Sequence, residues 1–316
     1  MELKHINSIL PLDAFAESRP GGRSENQDSW QAADTPLGFV VTVCDGMGGG
    51  PGGKTASAIA ARTIIKTCME CVEMTTPPED GEGTLIEMVD NECDERQPQS
   101  IDAAMSGNAG EIEDKSPTIT FSSACILAKA VQNANQAILD ATIDNPKLRG
   151  MGSTCTILLI TQSQKAYIVH LGDSRVYQLR GRKKVFRTFD HSMVFELVKQ
   201  NVITEEQARL SAQSNIITRA LGVADVAEPE IECVTYKPGD RFLLCTDGIH
   251  GTMPENELIK RATGIESIGR LVDDMATFVD GEGRKCGGDH DNLTLVLVQI
   301  NKKSIIHKFY ENLFNR

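Results

Sequence analysis

The chain has 316 residues, 40% of them apolar, which is enough to bury a substantial core, and no apolar run approaches the ~20 residues of a membrane helix. Its formal net charge is −12, yet thirteen acids between Glu73 and Asp114 face a single base, Arg96, so that stretch holds the whole excess and the remainder is close to neutral. A general nucleic-acid binder and a membrane span are thereby excluded. Nine cysteines make an odd count, and Cys44, Cys155 and Cys245 sit inside apolar runs as small core residues do. The start, Met1-Glu2-Leu3-Lys4-His5, has no export signal, so a reducing cytoplasmic setting is expected.

Phe39–Cys44 is a β-branched run ending at Asp45-Gly46, as a buried strand would. Ala56–Cys71 has apolar residues at helical spacing. Residues 73–120 have no sustained period, hold several prolines and are expected to be a disordered acidic insertion. Ser122–Thr142 predicts a second helix, and after Gly152 the texture turns to strands over Thr154–Ile160, Lys165–Leu171 and Arg175–Leu179, with a hairpin tip at Arg180-Gly181-Arg182 leading into Val185–Thr188. Met193–Gln200 reads as helical, and Thr204-Glu205-Glu206-Gln207 fits a capping box. Arg241–Thr246 and Leu293–Ile300 are late strands, with helices over Leu258–Ala262 and Ser267–Val279 between them. The tail, 304–316, carries an apolar stripe expected to form an amphipathic helix. Residues 1–303 are taken as one α+β layered domain.

Asp45, Asp173, Asp247 and Asp291 each sit at or beside the end of an apolar strand, and Asp28 follows Glu25-Asn26-Gln27. Asp-Gly pairs commonly do no more than make turns. Five such acids at strand ends can instead meet on one rim, where they repel unless a cation lies between them, and oxygen-only ligands suit Mg²⁺ or Mn²⁺. A rival reading lies at Gly48-Gly49-Gly50-Pro51-Gly52-Gly53-Lys54-Thr55, which matches the phosphate-loop pattern of nucleotidases, with Asp247 as a metal-linked acid. That reading leaves Arg23, Asp28, Asp173 and Asp291 without a role. Cys68-Met69-Glu70-Cys71 has no second ligand pair and reads as helix core, and the basic run Arg180, Arg182, Lys183, Lys184, Arg187 reads as a solvated hairpin.

The segments Arg23–Asp28, Asp45-Gly46-Met47-Gly48-Gly49, Met151–Thr154, Gly172-Asp173-Ser174-Arg175, Asp190-His191-Ser192, Ile217–Gly222, Thr246-Asp247-Gly248 and Asp291-Asn292 resemble, in order, the motifs of the protein phosphatase 2C family, the metal-dependent protein phosphatases, in its bacterial-like branch. The resemblance runs from about Ser18 to Ile300 and takes up Gly48–Gly53 as part of its own motif. It implies a four-layer αββα sandwich: two antiparallel β-sheets face to face, flanked by helices. It also implies hydrolysis of phosphoserine and phosphothreonine by a water bridging two Mn²⁺ or Mg²⁺ ions, with a possible third ion. By position, Asp45 and the Gly46 carbonyl, Asp247, Asp291 and Asp28 would hold the pair, and Asp173 with Asp247 the third. Arg23 would grip the phosphate, and residues 191–215 would form a flap. The expected partners are phosphorylated proteins, targets of a serine/threonine kinase, met by a monomer. A pseudophosphatase that only binds phosphoproteins is the remaining alternative, and the presence of every expected aspartate speaks against it.

Overall fold

The computed structural model describes residues 3–48, 52–71, 122–209, 211, 213 and 216–302. Among these described residues, thirteen strands and seven α-helices follow in chain order: β1 Lys4–Ile6, β2 Leu12–Arg19, β3 Ser29–Thr35, β4 Gly38–Cys44, β5 Gly46–Met47, α1 Gly52–Glu70, α2 Ser123–Asp144, β6 Gly152–Ser153, β7 Cys155–Ile160, β8 Lys165–Leu171, β9 Arg175–Arg180, β10 Lys183–Arg187, α3 Met193–Lys199, α4 Glu205–Arg209, β11 Glu230–Thr235, β12 Arg241–Cys245, α5 Asp247–His250, α6 Glu255–Ala262, α7 Ile268–Lys285 and β13 Leu293–Ile300. The expected acidic insertion and C-terminal helix lie outside the described residues.

Six strands form one sheet in the order β1-β2-β13-β12-β9-β10, five form another in the order β11-β8-β7-β4-β3, and β5 pairs with β6. Every one of these pairs is antiparallel. The long strands are apolar on both faces because both faces are covered. Ala16, Val176, Phe242, Leu244, Val296 and Val298 of the six-stranded sheet meet Phe39, Val41, Val43, Leu158, Ile160 and Ile168 of the five-stranded one in a single buried cluster. The alternate residues Val40, Ile157, Leu159 and Val169 turn outward under α1 and α2, and Tyr177, Leu243, Leu295 and Leu297 turn outward under α5, α6 and α7. The architecture is thus α+β, helices–sheet–sheet–helices.

Small residues on α1, among them Ala56, Ala60 and Ala61, are fully buried and let its backbone lie close to its neighbours. The Ser122 side chain caps α2 by accepting the Cys125 N–H. Thr204 and Gln207 exchange side-chain-to-backbone bonds of 2.8 and 3.2 Å, the capping box expected there. The basic run forms the expected hairpin of β9 and β10 with Arg182, Lys183 and Lys184 exposed, and departs from a wholly solvated one only at its two ends. Arg187 is only 6% exposed and bonds Glu205 and Glu255, and Arg180 bonds Asp240.

Candidate active site

The strand register decides which ends share a rim. Ser29 pairs with Cys44, which brings Asp28 and Asp45 side by side at one end of the five-stranded sheet. In the six-stranded sheet, Arg175 and Leu295 both pair with Cys245, so Asp173, Asp247 and Asp291 gather at the same end. The Gly172-Asp173-Ser174 turn joins β8 to β9 and therefore passes from one sheet to the other at this rim. The predicted residues converge: Arg23, Asp45, Gly46, Asp173, Asp247 and Asp291 line one cavity of about 490 Å³, together with Met47. An adjoining cleft of about 520 Å³ shares Arg23, Asp173, Asp247 and Asp291 and runs out between α3, α4 and α6. Asp28 lies behind the first cavity, its Oδ2 accepting the Thr246 hydroxyl at 3.0 Å.

Hydroxyl and amide groups hold these acids. The Asp45 N–H donates to Thr154 Oγ1 at 2.8 Å, and the Asp45 carbonyl accepts from the Thr154 N–H at 2.8 Å and the Ser153 hydroxyl at 3.0 Å. Gly46 must be glycine, since a Cβ there would lie 2.0 Å from the Gly53 carbonyl oxygen. The Asn292 amide donates to the Pro20 and Glu25 carbonyls and its oxygen accepts the Gln27 N–H at 2.8 Å, which draws the Arg23 loop across the start of β13. His250 Nε2 lies 3.0 Å from the Asp173 carbonyl oxygen. Behind the rim, Arg175 makes two 2.7 Å bonds to Asp190 from buried positions. Sequence reading assigned no role to Thr154, Asn292, Thr246, or the Arg175–Asp190 pair. Their one sequence signal is that each lies within one of the motif segments that carry the family resemblance.

The electrostatics are strained without a counter-charge. Burial, reinforced by repulsion from Asp247 and Asp291, pushes the Asp28 carboxyl up to about 7. Burial and the Asp291 charge push Asp247 up to about 6. Asp45 and Asp173 are held well above the ordinary carboxylate range, by burial first and by neighbouring acids second. Asp28 Oδ1 and Asp247 Oδ1 are buried and have no hydrogen-bond partner. Native proteins seldom leave such oxygens orphaned, and hard divalent cations are the partners that oxygen-only donors suit. Arg23 has a side chain 47% exposed and, among the described residues, is held by contacts of 3.3 Å to Asp291 and 3.8 Å to Asp289, so its guanidinium can turn to an incoming anion.

The sequence model of the protein phosphatase 2C family matches residues 19–286. The chain belongs to the protein phosphatase 2C family. A serine/threonine phosphatase of Listeria monocytogenes is 29% identical over 279 residues, 88% of each chain. The solved serine/threonine phosphatase PstP/Ppp of Mycobacterium tuberculosis superposes with a TM-score of 0.67 at 26% identity, covering 92% of this chain and 99% of that one. A PstP catalytic domain in complex with two manganese ions gives 0.66 at 24% identity, with 92% and 99% covered. The phosphate-loop alternative falls with these findings and with the geometry: β4 has only antiparallel neighbours, and Lys54 Nζ bonds Glu25 at 2.8 Å from the first turn of α1. Among the described residues, no helix is long and apolar enough to cross a membrane.

Proposed function

We propose that this protein phosphatase 2C member hydrolyses phosphoserine and phosphothreonine in phosphorylated proteins, with Mn²⁺ or Mg²⁺ held by the carboxylates of the rim. The observation that carries the reading is the pair of orphaned, buried oxygens on Asp28 and Asp247 inside a cluster whose carboxyls burial and mutual repulsion hold above their usual range. Asp45 would be shared by both ions of a pair, the Gly46 carbonyl would complete the shell of one, Asp247 and Asp291 would hold the first ion, and Asp28 would help hold the second. Asp173 with Asp247 is assigned to a third, weaker position. When bound, the ions supply charge neutralisation and a water of lowered pKa as nucleophile.

The chain's own groups do the rest. Arg23 presents a planar fork to two phosphate oxygens, orienting the ester for in-line attack, and a lysine at that position would offer only a point charge. The Thr154, Ser153 and Asn292 contacts fix the donors before substrate arrives, so little reorganisation is left for the reaction itself. Met47 lines the cavity and has no proton to give a departing alkoxide. The segment 191–215, which includes α3 and α4 along the adjoining cleft, is the assigned flap beside the bound phosphoprotein.

Asp45→Asn tests the assignment. It should lower turnover of a phosphopeptide by at least roughly 10³-fold, because the removed charge is the one shared between both ions. Calorimetric titration should show a lost Mn²⁺ site while the melting transition stays cooperative. Near-normal turnover with two ions still bound would sink the assignment.

A further inference from the structure

His191 opens the segment after β10 and is 1% exposed. It holds one turn from both sides. Its N–H donates to the Gly172 carbonyl at 2.8 Å, and its ring Nδ1 accepts the Gly172 N–H at 3.1 Å. Gly172 has φ +109, and a Cβ there would lie 2.7 Å from the Thr154 side chain, whose hydroxyl supports Asp45. The His191 carbonyl accepts the Thr218 N–H at 2.7 Å, next to Ile217 on the cavity wall. One residue thus joins the turn that carries Asp173 to the Ile217–Thr218 segment.

A metal at this place has to be weighed first, because His170, His191 and Glu230 offer donor atoms within 4.8 Å of one another. The proton inventory decides against it. With Nδ1 taken as acceptor by the Gly172 N–H, the neutral ring carries its proton on Nε2, which lies 3.2 Å from Glu230 Oε1 without hydrogen-bond geometry, so neither ring nitrogen offers a free lone pair to a cation. Lys199 Nζ, 3.9 Å from the same carboxylate oxygen, supplies a positive charge already.

We infer that His191 is a positioning residue for the phosphatase: its Nδ1 holds the Gly172 amide and so sets Asp173 in the rim. The effect on metal binding rests on the function proposed above, whereas the contact itself does not. An asparagine places its Oδ1 where Nδ1 was and keeps the acceptor. A glutamine reaches towards the Nε2 position and leaves the buried Gly172 amide without one.

The test is amide hydrogen exchange at Gly172 in the full chain, with calorimetric Mn²⁺ titration beside it. His191→Gln should speed exchange at Gly172 at least roughly tenfold, the value of one lost hydrogen bond, while His191→Asn stays near wild type. His191→Gln should also weaken only the weakest Mn²⁺ site, as Asp173→Ala should. Unchanged exchange in His191→Gln, or equal effects of the two variants, would overturn the inference. Should His191→Gln not fold, nitrogen NMR of the wild-type ring still decides: Nδ1 unprotonated and Nε2 protonated is expected, and the opposite tautomer contradicts it. If exchange responds but Asp173→Ala leaves Mn²⁺ binding intact, the metal assignment of Asp173 fails and the positioning role stands.

Discussion

Met47 sets a limit on the chemistry at the residue scale. It lies two positions after Asp45 and lines the same cavity, where a general acid for the leaving group would be useful. A thioether cannot protonate an alkoxide. An aryl phosphate leaves as a stabilised phenolate and needs little help, whereas a serine alkoxide needs much. General acid catalysis is worth about 10²–10⁴-fold, so Met47→His should raise turnover of a phosphoserine peptide more than that of an aryl phosphate. It should also add a limb near the imidazole pKa to the pH profile. The ratio of the two rates at fixed Mn²⁺ is the measurement, and equal effects would mean that residue 47 does not face the leaving group. Asp45, Asp173, Asp247 and Asp291 were legible because each sits at or beside the end of an apolar strand, and Asp28 by its place after Glu25-Asn26-Gln27. Their supports were not. Thr154 and Asn292 act through backbone groups far away in sequence, such as Asp45 and Gln27, and no local pattern announces such a partner.

Among the elements, the strands that were legible are those covered on both faces, such as β7, β8 and β13, whose runs are almost wholly apolar. Six others escaped: β1, β5 and β6 are only two or three residues long, and the remaining three were hidden for separate reasons. β2 mixes alanines with Asp13 and Glu17, β3 is an edge strand of half-buried polar and small residues, and β11 is an edge strand that alternates Glu230, Ile231, Glu232 and Cys233. The helices other than the four-residue α5 were found, but three were cut short: α1 begins at Gly52 rather than Ala56, α6 at Glu255 rather than Leu258, and α7 runs on to Lys285 rather than stopping at Val279. Glycines at 52, 53, 281 and 283 hid the added turns of α1 and α7, because glycine is a poor helix former until packing compensates. The Arg175–Asp190 pair ties β9 to the segment that leads into α3, with side chains 10% and 5% exposed. Removing one partner leaves a buried charge, so Asp190→Ala should cost about 3–5 kcal/mol. Chemical denaturation measures it, and a loss under about 1 kcal/mol, the scale of a surface pair, would show that the pair does not anchor the segment.

Across the whole molecule, the carboxylate rim ties stability to pH and metal. Asp28 and Asp247, raised to about 7 and about 6, bind protons more tightly folded than unfolded. Their stabilising share is therefore complete below pH ~4, the unfolded carboxylate range, and lost as pH rises through about 6 to about 7. The metal-free protein should consequently lose melting temperature through that window, and Mn²⁺ should restore it most at the alkaline end. A melting temperature with the same pH dependence in Mn²⁺ and in chelator would show that no cation relieves the rim.

The most direct test is phosphate release from a phosphothreonine peptide by protein stripped with chelator and then given Mn²⁺. Negligible turnover in chelator, recovery on adding Mn²⁺, and no hydrolysis of ATP under either condition are expected. Sustained turnover in excess chelator, or hydrolysis of ATP with the phosphopeptide untouched, would contradict it.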